Sequence, residues 1–464
     1  MKILLVLSAL LVAGCAQNPP VKLPELRLSS HWRAGPTVEA TGESWWKAFA
    51  DENLNRLESL ALAENLDLQQ AVARLEQAQA AAGITDAATA PAVNLEGSAG
   101  RVRQSLNAGF GTLANFNPAY ARTVNPAQLG FNGTWDLDFA GGLRHQREAA
   151  GATVQASAAE WQSLRLAISA EVADSYFVMQ GVRLQKHALE KQLELLATQL
   201  HIMEVRVQTG AASEAELDRL KATVEESTAP LAMLNATVTS QKNKLAVLLG
   251  KNPTDWEPAL DNLIQLAIFP DPAGGVPVEI LRRRPDVLAA EQRVAVAAAS
   301  VAASMAEYYP KISLSAAIGQ DSSNYSHLDS SRSSFAQSFL GLRWRLFDFG
   351  RIDAEVKVAQ GKQKEALLAY RSAVLRAAAD VETSFAQLAA ARERLKHLLE
   401  EGKRLQQVAQ SVQNAYKTGA VSKDEVCNAE RNVAHAEFDQ AAANVELAHA
   451  IVVAARALGG PIEN

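Results

Sequence analysis

The sequence lacks the features on which most enzymes and disulfide-stabilised secreted proteins depend. Its 464 residues include two cysteines and eight histidines, and no H-E-x-x-H or other metal-binding spacing occurs. There is no G-x-S-x-G, no phosphate-binding loop and no dinucleotide-binding fingerprint. A net charge of -6 provides no basic patch for nucleic acid. We therefore expect no catalytic residues, no metal, no cofactor and no nucleic-acid partner.

Long apolar runs are scarce as well. Ile3 to Val12 form an apolar stretch that is too short for a membrane helix, which needs about 20 residues. With Val12-Ala13-Gly14-Cys15 behind it, the stretch resembles a signal peptide ending in a bacterial lipobox, whose cysteine is acylated. We predict a signal peptide at 1–14 and lipidation of Cys15; ordinary cleavage beside an incidental cysteine is the alternative.

After the signal no uninterrupted apolar run of about 18 residues occurs, so any membrane crossing must use strands. Large apolar and polar residues alternate along four segments, for example Leu129, Phe131 and Trp135 against Asn132 and Thr134. This period of two fits a membrane barrel with a wet lumen, whereas an amphipathic hairpin over a soluble core is the alternative. The predicted strands are 91–100, 128–139, 310–319 and 338–347, with Asp136, Asp138, Arg343 and Arg345 facing the lumen.

The chain also contains an internal duplication. Segment 75–100 aligns with 294–319 at a shift of 219, and after the loop between Gly100 and Trp135 the shift becomes 209, so that Trp135 matches Trp344. Periods this long indicate one architecture built twice rather than a solenoid. The predicted first repeat, 53–250, has a first helix 53–90, a long helix 142–208 and a return helix 213–249. The second, 277–459, has a long helix 351–417 and a return helix 422–458.

The predicted helix lengths suggest how each repeat is arranged. A long helix of 67 residues would reach about 100 Å, whereas the first and return helices would reach about 57 and 55 Å. We therefore expect the two shorter helices to stack end to end beside the long one. Segments 15–52 and 251–276 and the tail 460–464 would form an irregular belt at the midpoint. Pro230 has no counterpart in the second repeat and predicts a kink.

Four strands cannot close a membrane barrel, because known barrels need about eight or more. Unpaired edges in lipid are prohibitive, so several copies of the chain must share one barrel. Three copies would supply twelve strands.

Four stretches resemble the TolC-like outer membrane factors, in the lipoprotein branch that serves resistance–nodulation–division pumps. They cover essentially the whole mature chain. They are Trp45-Trp46-x-x-Phe49-x-Asp51-x-x-Leu54-x-x-Leu57 continuing to Ala61-Leu62-x-x-Asn65, then Arg284-Pro285-Asp286-Val287-x-x-Ala290-Glu291, the paired turns at Gly210 and Gly419, and the Cys15 lipobox.

The resemblance implies a mostly α-helical homotrimer with a small membrane β-part: a 12-stranded barrel continued by a periplasmic helical tunnel. It also implies an outer-membrane exit duct for drugs or other small molecules, delivered by an inner-membrane pump and a periplasmic adaptor. A type I protein-secretion outlet and a non-conducting periplasmic structural lipoprotein are the alternatives. The alternating strands argue against the structural lipoprotein, which has no use for them.

By the same resemblance, two groups of residues have expected roles at the periplasmic end. The hairpin tips would contact the adaptor while their serines cap the following helices. A gate would use polar side chains, with Glu425 either in a cation-selecting ring or simply solvated, and with Asn428 where many relatives carry Asp. The tip residues are Thr209, Gly210, Ala211, Ser213, Thr418, Gly419, Ala420 and Ser422, and the gate residues are Tyr416, Lys417, Asp424, Glu425 and Asn428.

Overall fold

The order of helices and strands repeats once along the chain. The computed structural model describes residues 44–255 and 277–460, so Cys15, most of the predicted linker 251–276 and the end of the tail lie outside the described residues. The elements of the first repeat are α1 (Glu52–Glu64), α2 (Leu66–Ala87), β1 (Ala92–Ala99), β2 (Val102–Arg103), β3 (Thr123–Val124), β4 (Ala127–Asp136), α3 (Gly142–Gln208), α4 (Glu214–Thr228) and α5 (Pro230–Leu248). Those of the second are α6 (Pro277–Arg283), α7 (Pro285–Met305), β5 (Lys311–Ser322), β6 (Ser334–Arg343), α8 (Arg351–Lys417) and α9 (Lys423–Ala457).

The first predicted helix, 53–90, is two helices in the structure. Asn65 is extended, with φ -63° and ψ 125°, and ends α1. Its side-chain oxygen accepts hydrogen bonds from the backbone nitrogens of Asp67 and Leu68 at 2.9 and 3.0 Å. Asparagine is a preferred N-cap residue because its carbonyl satisfies the free N–H groups of a helix's first turn. The break at Asn65 is therefore the capped start of α2.

The two long helices, α3 and α8, have 67 residues each and the same bounds as the predicted ones. A carboxylate marks the start of both. Asp138 accepts hydrogen bonds from the backbone nitrogens of Leu143 and Arg144. Asp348 accepts them from Gly350 and Ile352, and these bonds hold the pKa of its carboxyl below the usual range. Anionic side chains are favourable at this position because the N-terminus of a helix carries partial positive charge.

The two return helices differ from each other. The second, α9, is continuous, whereas the first is divided between α4 and α5 where Pro230 begins α5. Proline has no N–H to continue the hydrogen-bond ladder. Ala229 nevertheless keeps helical angles, φ -53° and ψ -40°. At the predicted kink the hydrogen-bond ladder is therefore interrupted, but the backbone remains helical.

The C-terminal ends of the return helices meet equivalent side chains in the two repeats. Asn65 Nδ2 donates to the carbonyl of Leu248 at 2.8 Å, and Arg284 Nη1 donates to that of Ala457 at the same distance. Asn65 and Arg284 are 219 residues apart, and the two carbonyls are 209 apart, which are the shifts of the duplication. Each contact satisfies a carbonyl at a helix C-terminus, where intrahelical partners are missing. We call this contact the repeat joint.

Arg284 has further partners in the second repeat joint. Its guanidinium forms ion pairs with Asp286 at 2.7 Å and Asp380 at 3.2 Å. Burial alone would lower the pKa of Arg284, but these carboxylates raise it. The buried cation is therefore paired, as a buried charge has to be.

The described chain forms two compact units, each with its own packing. One unit contains 75–156 and 290–369, including the strands. The other contains 44–74, 157–255, 277–289 and 370–460, and its largest core cluster gathers aromatic residues. There the rings of Phe49 and Phe177 lie 4.6 Å apart, and the Tyr176 hydroxyl donates to Asp51 at 2.8 Å. Part of the predicted irregular belt, Trp45–Phe49, is thus a 3-10 helix packed into this core.

Within the described ranges one helical stretch, Pro285–Tyr308, is long and apolar enough to cross a membrane by length and composition alone. Only 33% of its most apolar window is buried inside the structure. Among its buried residues, Val287, Ala290, Val294 and Ala297 recur every three or four positions, which is the pattern of a helix with one packed face.

Glu58 is a buried acid in the helical unit. It is 0% exposed, and among the described residues neither of its carboxylate oxygens has a hydrogen-bond partner. Burial raises the pKa of Glu58 well above its usual range, and the nearby Ser169 hydroxyl opposes this only in part. The ionised form is disfavoured because the charge has lost its water without gaining a partner.

We predict that Glu58→Gln stabilises the protein at high pH. The folded state holds the Glu58 proton to a higher pH than the unfolded state, so the cost of ionisation is absent below about pH 4.5 and grows as the pH rises. Removing an unsatisfied buried charge is worth about 1–3 kcal/mol, or about 1–3 °C in the thermal midpoint of a chain of this length. Thermal unfolding should show this gain at pH 8 and not at pH 4. Glu64→Gln, at an exposed position of α1, is the control, and a gain independent of pH would contradict the prediction.

Candidate functional site

One face of the main sheet is apolar across all four strands. The antiparallel order is β1-β4-β5-β6, and directly paired residues lie on the same face. In one chain these side chains are exposed, Leu340 by 71% and Leu342 by 69%. An exposed apolar surface of this extent on a sheet is typical of contact with lipid. The face comprises Val93, Leu95, Leu129, Phe131, Trp135, Ile312, Leu314, Ile318, Leu340 and Leu342.

Two tryptophans mark the same end of this face in the two repeats. Trp135 Nε1 donates to the carbonyl of Thr89 at 2.9 Å, and Trp344 Nε1 donates to that of Tyr308 at 3.0 Å. Both carbonyls lie two residues before the proline that ends the preceding helical segment, Pro91 or Pro310. Tryptophan is enriched at the boundary of a bilayer because its ring is apolar and its N–H is polar. These two tryptophans therefore indicate that one boundary of the apolar face lies at the start of β5.

The other face of the sheet is mostly polar, although Phe335 and Phe339 of β6 also lie on it. Asp136 and Arg343 lie on it as the last residues of β4 and β6. The other two residues predicted to face the lumen lie beyond the strands, which end earlier than the predicted 128–139 and 338–347. Asp138 caps α3, and Arg345 donates to Glu307 at 2.5 Å. Apolar and polar residues thus alternate beyond the ends of the strands. There the polar residues bind the adjoining helical segments and do not belong to the sheet.

Both outer strands of the sheet have an open edge. Within the described residues β1 pairs only with β4, and β6 pairs only with β5. Unpaired backbone N–H and C=O groups in hydrocarbon cost several kcal/mol each, so a membrane-embedded sheet of this kind has to be closed by other copies.

The two hairpin tips have the same construction. Gly210 and Gly419 have φ of 73° and 76°, a left-handed conformation that glycine adopts without steric cost. Ser213 and Glu216 form a reciprocal capping box at the start of α4, and the hydrogen bonds from Ser213 lower the pKa of the Glu216 carboxyl. Ser422 caps α9 through the backbone nitrogen of Glu425. All eight predicted tip residues are exposed.

A buried amide joins α3 to α9 near the tips. Gln199 is 4% exposed, and its Nε2 donates to Asp424 and Asn428, both at 2.9 Å. Arg431 donates to the Gln199 side-chain oxygen at 3.4 Å, and the amide of Asn428 donates to Asp424. We call these four residues the α3–α9 clasp. Because Gln199 belongs to the first repeat and the other three to the second, the clasp ties the two helical hairpins together.

The structure brings together only part of the predicted gate set. Asp424 and Asn428 are in the clasp, whereas Tyr416, Lys417 and Glu425 are exposed. The Lys423 ammonium lies 5.8 Å from the centre of the Tyr416 ring. Gln199 and Arg431 are missing from the predicted set, since no local motif marks them. Gln199 is more than 200 residues away in sequence from Asn428 and Arg431, the residues that it contacts.

Among residues 44–255 and 277–460 no three His, Cys, Asp or Glu side chains are arranged to hold a metal ion. The described free cysteine, Cys427, is buried in α9.

Residues 57–251 and 276–460 match the family described as "Outer membrane efflux protein". The chain belongs to this family. OpmQ of Pseudomonas putida, a pyoverdine export outer membrane protein, is 31% identical over 98% of this chain and 96% of its own. CusC of Escherichia coli, a cation efflux system protein, is 27% identical over 92% of each chain. The solved structure of the outer-membrane channel OprN covers 96% of this chain and 99% of its own, with 28% identity and a TM-score of 0.84.

The efflux protein is thus a channel of the outer membrane, and the predicted function and location are confirmed. The predicted fold class is also confirmed: the related structures are trimeric channels with a barrel and a helical tunnel. Members of the family are channels, not enzymes, and they work as trimers within tripartite efflux systems. The apolar face of the sheet has the character of the surface that such a channel presents to lipid.

We predict that Ser213→Ala loosens the first turn of α4. Loss of an N-cap costs about 1 kcal/mol, which corresponds to about a fivefold increase in local opening. Hydrogen exchange measured by mass spectrometry should accelerate in peptides covering 213–220. Ser411→Ala is the control, because the Ser411 hydroxyl bonds only to the Gln407 carbonyl within α8. Equal exchange in both variants would show that the capping box does not hold the tip.

Proposed function

We propose that the hairpin tips dock onto a periplasmic adaptor, which connects this channel to an inner-membrane pump. Support comes from the exposed turns at Gly210 and Gly419 and from the serine caps that fix their geometry. The docking residues are Thr209, Gly210, Ala211, Ser213, Thr418, Gly419, Ala420 and Ser422. The channel itself is then a passive duct, and the pump supplies the energy and selects the cargo.

The proposed cargo class is small molecules rather than proteins. OpmQ is named for pyoverdine export and CusC for cation efflux, so relatives of this chain carry chemically different small solutes. Cys15 is proposed to carry the lipid anchor, because it follows an apolar stretch and the small pair Ala13-Gly14. Ala16 behind it, rather than an acidic residue, favours retention in the outer membrane.

We propose that the α3–α9 clasp holds the periplasmic end of the tunnel narrow. Opening requires helical hairpins to separate near their tips, and the clasp resists this because it links the two repeats of each protomer. Tyr416, Lys417 and Glu425 lie on the same tips and would line the opening. Three copies of Glu425 would give the entrance a negative ring that favours cations.

The first test is the oligomeric mass of the mature protein in detergent, together with its conductance in a planar bilayer. The open edges of β1 and β6 predict a trimer, and a trimer closed at the tips should give small, cation-preferring currents. Intact mass should also show acylation of Cys15, which Cys15→Ser would abolish. A monomer that gives no current would contradict the duct.

The second test is Gln199→Leu, which keeps the side-chain volume and removes the clasp. Hydrogen bonds to charged groups contribute about 1.5–3 kcal/mol each, so the balance should shift about tenfold or more towards the open state. Single-channel recording should show larger or more frequent openings. Thr198→Ala is the control, because its exposed hydroxyl bonds only within α3. Unchanged currents in Gln199→Leu would show that the clasp does not control the gate.

A further inference from the structure

Two cations face each other on the polar face of the sheet. Lys311, the first residue of β5, is the direct partner of Arg343, the last residue of β6. Their Cβ atoms are therefore about 4.5–5.5 Å apart and point into the same space. Like charges directly opposite each other destabilise an antiparallel pair. The sheet thus retains an unfavourable pair at one mouth of the barrel.

The neighbouring carboxylates neutralise this pair only in part, because Lys311 has a carboxylate partner and Arg343 has none among the described residues. Glu307 is shared between Lys311 and Arg345. In the described part of the chain the Arg343 side chain forms no ion pair or hydrogen bond, and it is exposed. Of the three cations in this cluster, Lys311 and Arg345 therefore share one carboxylate, and Arg343 is bonded to none.

Other acids in the region are committed elsewhere or further along the strand. Asp138 and Asp348 accept backbone N–H groups at the starts of α3 and α8. Asp136 is on the polar face and pairs with Ser313, two residues along β5 from Lys311, which makes it a diagonal neighbour of Lys311 that, within the described structure, forms no bond to either cation of the pair. Glu96, the carboxylate on this face of β1, is level with Phe335, eight residues along β6 from Arg343. Such a spacing is about 26 Å.

An aromatic side chain lies on the same face as the cation pair. Phe339 pairs with Ser315, four residues along β6 from Arg343 and about 13 Å away. It is 59% exposed, and the opposite face of β6 already carries Leu340 and Leu342 for contact with lipid. Between the aromatic and the cations, Gly341 is paired with Ser313, and a Cβ at Gly341 would lie 2.8 Å from the Ser313 hydroxyl. The small residues Gly341 and Ser313 therefore leave space above the sheet between the cation pair and Phe339.

We propose that Lys311, Arg343 and Phe339 form a binding site in the lumen for organic anions with an aromatic or apolar body. The planar guanidinium of Arg343 presents paired donors that suit a carboxylate, and Lys311 adds a second charge. Phe339 offers a ring face for the apolar part of the molecule. The inference rests on the proposed function as an exit duct for small molecules, and it names the chemical class that the barrel favours. Each trimer would contain three such sites.

Equilibrium dialysis of the detergent-purified full-length protein tests the site with 2-naphthoate. The neutral and cationic analogues of naphthoate, 2-naphthylmethanol and 2-naphthylmethylammonium, measure the part of the binding that does not depend on the negative charge of the carboxylate. We expect naphthoate to bind more tightly than either, at three molecules per trimer. Arg343→Gln should weaken naphthoate binding about tenfold, as loss of a charge-assisted hydrogen bond does. Phe339→Ala should weaken all three ligands.

Arg332→Gln is the matched control, because Arg332 is also an exposed arginine of this hairpin but lies in the loop before β6. Equal binding of naphthoate and the alcohol, or no loss in Arg343→Gln, would overturn the site. Conductance of the same preparations separates this result from failure of the duct. Currents without charge-dependent binding would leave the duct standing and remove the site, whereas binding without currents would retain the site and count against the duct.

Discussion

The two open edges of the sheet are the constraint on which the rest of the molecule depends. Among the described residues β1 and β6 each have one row of backbone groups without a partner, and hydrocarbon offers no water to replace the missing hydrogen bonds. The strands can enter a membrane only when other copies complete the barrel. One protomer therefore forms a third of the barrel wall, and its apolar face is suited to contact with lipid.

The helical part depends on a second repeated interaction, the repeat joint. In both repeats the C-terminus of a return helix contacts the residue just before the helix that leads into the strands, α2 or α7. The side chain that makes this contact differs between the repeats. Asn65 makes the contact with a neutral amide. Arg284 makes it with a buried guanidinium that also bonds to the Ala377 carbonyl and to Asp380, so it ties in α8 as well. The duplicated backbone has thus kept one geometry while the side chains made the halves unequal.

Much of this architecture could be predicted from the sequence, and the exceptions share a physical cause. The long helices were predictable because no proline interrupts them and glycine turns follow them. The break at Asn65 was not, because its local capping of α2 competes with continuation of the helix and the Leu248 carbonyl that it also binds is 183 residues away. Apolar and polar residues alternate past Asp136 and Arg343, so the pattern could not show that Asp138 serves a helix and Arg345 an adjoining glutamate. Gln199 and Glu58 were missed for the same reason: burial by distant segments leaves no local periodicity.

The equal length of α3 and α8 has a consequence for how this protein can change. An α-helix turns by about 100° per residue, so one inserted residue would rotate every later side chain of that helix away from its neighbours. Seven residues make nearly two full turns and restore the facing side chains to within about 20°. Natural or engineered length variants of the tunnel are therefore expected to differ by multiples of seven, inserted in matched positions of a long helix and its return helix. They would have to occur in both repeats, because the α3–α9 clasp fixes the register of one hairpin against the other.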